Sequence, residues 1–221
     1  MPDDVVVLAV KDLQRAKSRL GAASVAPAAR EALVAAMVAD TLGAVRAAGI
    51  DRIVLVTPDP RVTELATGFG VLVVPDPGDG LNPALTAGAG AAAQRWAATR
   101  VAFLQADLPA LTPASLSAAL AAAADHPAAF VADRAGEGTA LLVTERPVTG
   151  SFAVAPAFGA HSAHAHRSAG AVELDPARTG LADLRCDVDT PADLAAAQEL
   201  GVGPATAAAL ADVDPGRRSA R

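Results

Sequence analysis

The chain has 221 residues, enough for one α/β domain with a buried core. Its net charge of −6 argues against a nucleic-acid polymer as partner. Hydrophobic residues make up 52% of it, but the excess is alanine, and no apolar run reaches the roughly 20 residues that a membrane span needs. We therefore expect no membrane partner. The acidic start, residues 1–4, is unlike a signal peptide and predicts a cytoplasmic protein, and the single cysteine excludes an internal disulfide.

Predicted strands and helices alternate along the first half of the chain. Continuous β-branched runs predict buried strands of a parallel sheet, and apolar residues at helical spacing predict helices. The predicted strands cover residues 5–10, 53–57, 71–74, 101–105 and 128–132, and the helices cover 28–48, 61–67, 83–98 and 112–124. This order predicts an α/β fold, with a mostly parallel central sheet and helices on both faces.

The second half of the chain is less regular. A strand at 139–144 follows the fifth strand after a short loop, so we expect it to run antiparallel. A helix at 159–170, a strand at 171–174 and a helix at 191–200 complete the prediction. No linker divides the chain, which predicts a single domain over residues 1–211 and a disordered tail at 212–221.

The loop after the first strand, residues 11–20, concentrates positive charge. Of the eighteen basic residues sixteen are arginine, and both lysines, Lys11 and Lys17, lie in this loop together with Arg15 and Arg19. The loop lacks the glycines of a P-loop or a dinucleotide-binding turn. Because ligands bind at the carboxyl ends of parallel strands, this loop is placed to hold a triphosphate. A solvated basic turn explains it equally well.

Three carboxylates follow strands or precede a helix. Asp107 comes just after the fourth strand, and Asp187 and Asp189 point to the same side of an extended segment. Neighbouring carboxylates are costly unless a cation lies between them, and all-oxygen ligation suits Mg²⁺, which usually accompanies a phosphate substrate. The alternatives are a local turn at Asp107 and a helix cap at Asp189.

Three further segments bear polar groups that suit a ligand. Thr139 follows two glycines, Gly136 and Gly138, in what is otherwise an ordinary hairpin turn. Ser162 and free N–H groups near Gly159 suit an anion, or form an ordinary serine cap. Asn82 is placed to cap a helix or to recognise a base edge.

His161, His164 and His166 form the one histidine cluster of the sequence. A zinc site needs converging ligands, and no fourth ligand is evident. We favour surface histidines or histidines that contact an acceptor over a zinc site.

Seven motifs occur in the order of one known family. They are Val10-Lys11 with Ala16 to Leu20, Thr57-Pro58-Asp59, Leu81-Asn82, Asp107-Leu108-Pro109, Gly136-x-Gly138-Thr139, Phe158-Gly159-x-x-Ser162 and Asp187-Val188-Asp189-Thr190-Pro191. Over about residues 4–205 they resemble the 2-phospho-L-lactate/phosphoenolpyruvate guanylyltransferases of coenzyme F-420 biosynthesis. The last motif is shared with other small nucleotidyltransferases. The Lys17 loop without glycines and the Phe-Gly-x-x-Ser motif point to this family specifically.

The resemblance implies a single-domain, Rossmann-like (GT-A-like) nucleotidyltransferase. It implies transfer of GMP from GTP to phosphoenolpyruvate or 2-phospho-L-lactate, with release of pyrophosphate. The motif positions then imply that Asp107, Asp187 and Asp189 hold one or two Mg²⁺ ions, with Asp107 also catalytic.

The same positions imply two groups of substrate contacts. On the GTP side, Lys17 is catalytic and neutralises the triphosphate with help from Lys11 or Arg19, while Asn82 and the loop at 58–59 lie near the guanosine. On the acceptor side, the binding residues are Thr139, Gly159 and Ser162.

Other functions stay open at this point. Transfer of a sugar from a nucleotide-sugar, or of a nucleotide to 3-phosphoglycerate, fits the same fold, and so does a non-catalytic nucleotide-binding module. The sequence decides little between the two three-carbon acceptors. Its composition, typical of a GC-rich gene, and the segments 181–200 and 201–206 look actinobacterial, and this association favours phosphoenolpyruvate. Assembly as a homodimer is also left open.

Overall fold

A seven-stranded sheet runs through the computed structural model, which describes residues 4–14, 20, 26–146 and 151–213. Its strands are β1 (Val5–Ala9), β2 (Ile53–Val56), β3 (Leu72–Val74), β4 (Arg100–Leu104), β5 (Ala128–Ala132), β6 (Thr139–Glu145) and β7 (Val172–Glu173). Their order across the sheet is β3-β2-β1-β4-β6-β5-β7. Only β6 runs opposite to the others, pairing antiparallel with β4 and β5, so the sheet is mostly parallel as predicted.

The helices of the described residues connect these strands. They are α1 (Pro27–Ala47), α2 (Pro60–Gly68), α3 (Leu81–Trp96), α4 (Pro113–Ala122), α5 (Ser162–Ser168), α6 (Pro191–Leu200) and α7 (Pro204–Val213), and a 3-10 turn (Ala123–Asp125) follows α4. None of them is long and apolar enough to cross a membrane.

Two apolar cores lie on opposite faces of the sheet. On β1, Val6 and Leu8 belong to the core under α1, α2 and α4, whereas Val5 and Val7 belong to the core under α3 and α5. This alternation is expected of a strand, whose successive side chains point to opposite faces. Helices on both faces are therefore confirmed. On the second face α3 lies so close to the sheet that a Cβ at position 88 would come within 2.6 Å of Val7 Cγ1. Glycine at this position permits the close approach.

Local capping signals place two helices well. Thr112 caps α4 by accepting a hydrogen bond from the Ser115 N–H at 3.2 Å, with proline next in the chain. Thr190 caps α6 in a reciprocal pair with Asp193. Asp189 is therefore not the cap of α6, and that alternative is wrong.

Two helices depart from the prediction. The helix predicted from residue 159 begins only at Ser162, because Gly159 and His161 have φ angles of +138° and +59°, outside the helical region. The helix α7 was not predicted at all. It continues through Asp212, inside the segment predicted as a tail, and residues 214–221 lie outside the described part of the chain.

Candidate active site

Two adjoining cavities open at the edge of the sheet where the parallel strands end. The larger has a volume of about 810 Å³ and the smaller about 330 Å³. They meet at four residues that line both: Leu81, Gln105, Asp187 and Asp189. This is the edge at which open α/β sheets bind ligands.

The smaller cavity is lined by all three predicted metal ligands. Asp107 follows β4 and is buried, and it lines this cavity together with Asp187 and Asp189. The Val188 N–H donates to the Asp107 carbonyl at 3.1 Å, which fixes the two acidic segments side by side. Across the described residues, however, no three His, Cys, Asp or Glu side chains are close enough to make a metal site by themselves.

The segment that carries Asp187 and Asp189 is anchored on its N-terminal side by Arg185. The buried guanidinium of Arg185 donates to the carbonyl of Ala132, the last residue of β5, at 2.8 Å, and to that of Asp175, just after β7, at 2.7 Å. With the Thr190 cap on the other side, both carboxylates sit on a short stretch held at each end. The sequence analysis did not identify Arg185, since its partners are distant in sequence.

The loop after β1 is held by a carboxylate from the loop that follows β2. Asp59 accepts from the Leu13 N–H at 3.0 Å and caps α2 through the Arg61 N–H at 2.8 Å. Burial alone would raise the pKa of Asp59, but these hydrogen bonds outweigh it and hold the pKa below its ordinary value. Lys11 lines the smaller cavity, whereas Lys17 and Arg19 lie outside the described residues.

The larger cavity brings the three predicted acceptor residues together. Thr139 starts β6, Gly159 lies in the loop before α5, and Ser162 is the first residue of α5. The Ser162 hydroxyl is buried and has no hydrogen-bond partner in the described residues. An unpartnered buried hydroxyl on the wall of a cavity is suited to an oxygen atom of a ligand.

His166, expected at the surface or in contact with the acceptor, lies behind this wall. Its Nδ1 is 2.9 Å from the Thr139 hydroxyl, and its Nε2 accepts from the Ala157 N–H at 3.0 Å. The ring is fully buried between Phe130 and Phe158, and burial lowers its pKa to about 4. His166 is therefore neither a surface histidine nor in direct reach of the cavity.

The other two clustered histidines are exposed. His161 takes the left-handed conformation just before α5 and lines the larger cavity, while His164 Nε2 is 3.4 Å from the Ser168 hydroxyl. Among the described residues these histidines belong to no group of three or more potential metal ligands.

Asn82 binds backbone and does not cap a helix. Its amide pairs with both polar groups of Phe158, donating to the carbonyl at 3.0 Å and accepting from the N–H at 2.8 Å. The cap position of α3 is Gly80, with a φ of +106°, so the predicted cap is wrong. A contact between Asn82 and the guanosine stays a prediction.

An ion pair also lines the larger cavity. Arg134 donates to Asp193 at 2.6 Å, and both residues line the cavity. Burial would raise the pKa of Asp193, but hydrogen bonds from Thr190 and Arg134 hold it below its ordinary value. The guanidinium of Arg134 thus lies on the wall of the larger cavity already paired with a carboxylate, and no sequence pattern indicated this pair.

The chain is similar to proteins of known families. Residues 19–173 match the family model described as the MobA-like NTP transferase domain, a match that does not include β1 or Lys11. The phosphoenolpyruvate guanylyltransferase of Streptomyces scabiei is 47% identical over 212 residues, which cover 93% of this chain and 95% of that one. The enzyme of the same name from Thermomonospora curvata is 46% identical over 221 residues, covering 98% and 93%.

A solved structure supports the fold over the full length. The chain overlaps a Desulfovibrio desulfuricans protein named as a nucleotide-diphospho-sugar transferase with a TM-score of 0.69, covering 99% of this chain and 98% of that one. The two sequences are 19% identical, so the likeness concerns the fold alone.

Proposed function

The chain belongs to the MobA-like NTP transferase family and, within it, to the phosphoenolpyruvate guanylyltransferases, and we propose that it transfers GMP from GTP to phosphoenolpyruvate with release of pyrophosphate. The product is enolpyruvyl-diphospho-guanosine, a precursor for coenzyme F-420. The reaction takes place in the cytoplasm.

The two-cavity arrangement carries this proposal. The smaller cavity, lined by Lys11 and three aspartates, suits a nucleoside triphosphate, and the larger cavity, with its unpartnered Ser162 hydroxyl, suits the phosphoacid. Because the cavities share Gln105, Asp187 and Asp189, an acceptor phosphate in one lies beside a nucleotide α-phosphate in the other. Placing two reactants side by side in this way is itself a large part of catalysis.

The chemistry asks for positioning and charge neutralisation. An oxygen of the acceptor phosphate forms a bond to the α-phosphorus of GTP, and the bond from that phosphorus to the β-phosphate bridging oxygen breaks. The attacking oxygen is already anionic, so no general base is required. His166 is not available as a base, since it is buried behind the cavity wall and both of its ring nitrogens already have hydrogen-bond partners.

Asp107, Asp187 and Asp189 would hold one or two Mg²⁺ ions. Their all-oxygen donor set fits Mg²⁺, which binds through one or two carboxylates and completes its shell with substrate phosphates and water. Bound there, the ion would neutralise charge on the triphosphate and the leaving pyrophosphate. The remaining positive charge comes from Lys11, together with Lys17 and Arg19 of the same loop.

Thr139, Gly159 and Ser162 bind the acceptor in this proposal. At Gly159 a φ of +138° strongly favours glycine, which leaves the backbone of the loop exposed to the ligand. The choice of phosphoenolpyruvate over 2-phospho-L-lactate rests on the relatives' names. C2 is trigonal in phosphoenolpyruvate and tetrahedral in 2-phospho-L-lactate, so contacts with a few atoms of the cavity distinguish the two acceptors.

Pyrophosphate release tests the proposal. The protein is incubated with GTP, Mg²⁺ and, separately, phosphoenolpyruvate, 2-phospho-L-lactate or 3-phosphoglycerate. We expect the highest kcat/KM with phosphoenolpyruvate. Folded protein that binds GTP but releases no pyrophosphate with any acceptor would favour a non-catalytic nucleotide-binding module. Assembly as a homodimer stays a prediction, which light scattering of the purified protein checks.

A further inference from the structure

The side chain of His166 touches two walls of the larger cavity from behind. Through Nδ1 it reaches Thr139 at the start of β6, and through Nε2 it reaches Ala157 in the loop before α5. Neither Thr139 nor Ala157 lies on α5, the helix that carries His166. The ring therefore links β6, α5 and the loop at 157–159 at one point.

The direction of each hydrogen bond follows from chemistry. A backbone N–H can only donate, so Nε2 must present its lone pair to Ala157 and carries no proton. A neutral imidazole then carries its proton on Nδ1 and donates it to the Thr139 hydroxyl oxygen. The low pKa of His166, about 4, agrees with a neutral ring at physiological pH.

The consequence falls on Thr139. Its hydroxyl oxygen accepts from His166, so its own hydrogen is left to donate to something else. In the described part of the chain no second group takes that hydrogen, and Thr139 lines the larger cavity. A hydroxyl with this polarity binds an anionic oxygen rather than a donor.

We propose that His166 is a positioning residue, which commits the Thr139 hydroxyl to donate to an oxygen of the phosphoacid while it holds the loop at 157–159 in place. The inference rests on the proposed function, because that function puts the phosphoacid in the larger cavity. His166 touches no substrate and exchanges no proton during the reaction.

Two isosteric variants separate the two contacts. In His166→Asn the amide N–H lies where Nδ1–H was, so the donor to Thr139 is kept and the acceptor for Ala157 is lost. In His166→Gln the amide oxygen lies where Nε2 was, so the opposite contact is kept. We expect His166→Gln to raise the acceptor KM about tenfold, the size of one net hydrogen bond. His166→Asn should leave it within about threefold, because the two-point pair of Asn82 with Phe158 still holds the loop. The GTP KM should stay unchanged in both.

Thr139→Val completes a double-mutant cycle. If the two residues act as one unit, adding His166→Gln to Thr139→Val should raise the acceptor KM no further. Circular dichroism and the GTP KM show that each variant is folded. Equal increases for His166→Asn and His166→Gln, or fully additive effects with Thr139→Val, would overturn the positioning role.

Nitrogen-15 NMR of the histidine rings tests the tautomer in the unmodified protein. We expect one histidine with protonated Nδ1 and unprotonated Nε2 at pH 7, which is lost in His166→Asn. A protonated Nε2 would overturn the inference even if the enzyme is active. If no acceptor supports pyrophosphate release, the proposed function fails, and the spectrum still decides the bond between His166 and Thr139.

Discussion

The side chain of Asn82 forms a two-point pair with the backbone of Phe158, 76 positions away: its amide donates to the carbonyl at 3.0 Å and accepts from the N–H at 2.8 Å. Asn82 lies in the first turn of α3, and Phe158 directly precedes Gly159 of the larger cavity. With the Ala157 N–H bound to His166, two successive residues of this loop are tied down. The loop that we assign to the acceptor is therefore preorganised before any ligand binds.

Asn82→Ala should loosen that loop. We expect the acceptor KM to rise about tenfold and the free energy of unfolding to fall by about 1–3 kcal/mol, because the Phe158 N–H and carbonyl lose their partners. Steady-state kinetics in both substrates and urea unfolding measure the two effects. Gln94→Ala, which removes an exposed amide from the same helix, is the matched control.

The result also decides between two roles for Asn82. A rise in the GTP KM with an unchanged acceptor KM would place Asn82 at the guanosine, as the family resemblance implies, and would contradict the loop-holding role.

Ser162→Ala should separate binding from stability. Its hydroxyl is buried without a partner, so its removal should leave the free energy of unfolding unchanged or raise it by up to about 1 kcal/mol. The acceptor KM should rise, because the same hydroxyl is placed to bind the phosphoacid. Urea unfolding and the KM for each substrate check both expectations.

Ser168→Ala, at the exposed end of the same helix, should change neither quantity. An equal rise in the KM for GTP and for the acceptor in Ser162→Ala would mean that Ser162 does not belong to the acceptor side.

Asp107→Asn should reduce kcat by at least about a hundredfold, the size of loss seen when a group that stabilises transition-state charge is removed. Asp107 is buried and lines the smaller cavity beside Asp187 and Asp189. The Mg²⁺ concentration for half-maximal rate should rise in Asp187→Asn. Asp125→Asn makes the same change of charge at an exposed position and is the control. An unchanged rate in Asp107→Asn would remove that residue from the site.

His166 should make stability depend on pH in a window of its own. An ordinary histidine takes up a proton near pH 6.5, whereas His166 in the fold does so only near pH 4, because burial disfavours the charged ring. Between these values the unfolded chain binds more protons, so the free energy of unfolding falls as the pH falls from 6.5 to 4. At about 1.4 kcal/mol for each pKa unit, the whole change is at most about 3.5 kcal/mol.

The measurement is urea unfolding across that window. His166→Asn should show a shallower pH dependence than the unmodified protein, and His164→Asn, at an exposed position of the same helix, is the control. The carboxyls of Asp59, Asp183 and Asp193 have lowered pKa values, so their contribution is lost at still lower pH, below the ordinary value of 3.8. The same slope in His166→Asn as in the unmodified protein would show that His166 is not buried neutral.

Much of the fold follows from local sequence signals. Two elements have the predicted bounds, the strand at 128–132 and the helix at 191–200. Residues that start or end such elements flank them: Pro127 precedes the strand, and Thr190 and Gly201 flank the helix. The reversed β6 followed from the short loop before it. By contrast α7 was missed because it is capped from elsewhere: Asp40 of α1 accepts from the N–H groups of Ala205 and Thr206 at 3.0 and 2.7 Å.

The site divides in the same way. The position of Asp107 after a buried strand predicted its place at this edge of the sheet, whereas the grouping of Asp107 with Asp187 and Asp189 was implied by the family resemblance. The role of His166 could not be predicted, since it arises from contacts with Thr139 and Ala157 that no local pattern encodes. The role of Lys17, one of only two lysines, stays a prediction.

The central claim is that the phosphate of the acceptor attacks the α-phosphorus of GTP. It is tested most directly by incubating the protein with GTP, Mg²⁺ and phosphoenolpyruvate whose phosphate oxygens carry oxygen-18, followed by mass spectrometry. The account predicts a guanosine product that carries the label and pyrophosphate that carries none. Labelled pyrophosphate, or no guanosine product from folded protein, would contradict it.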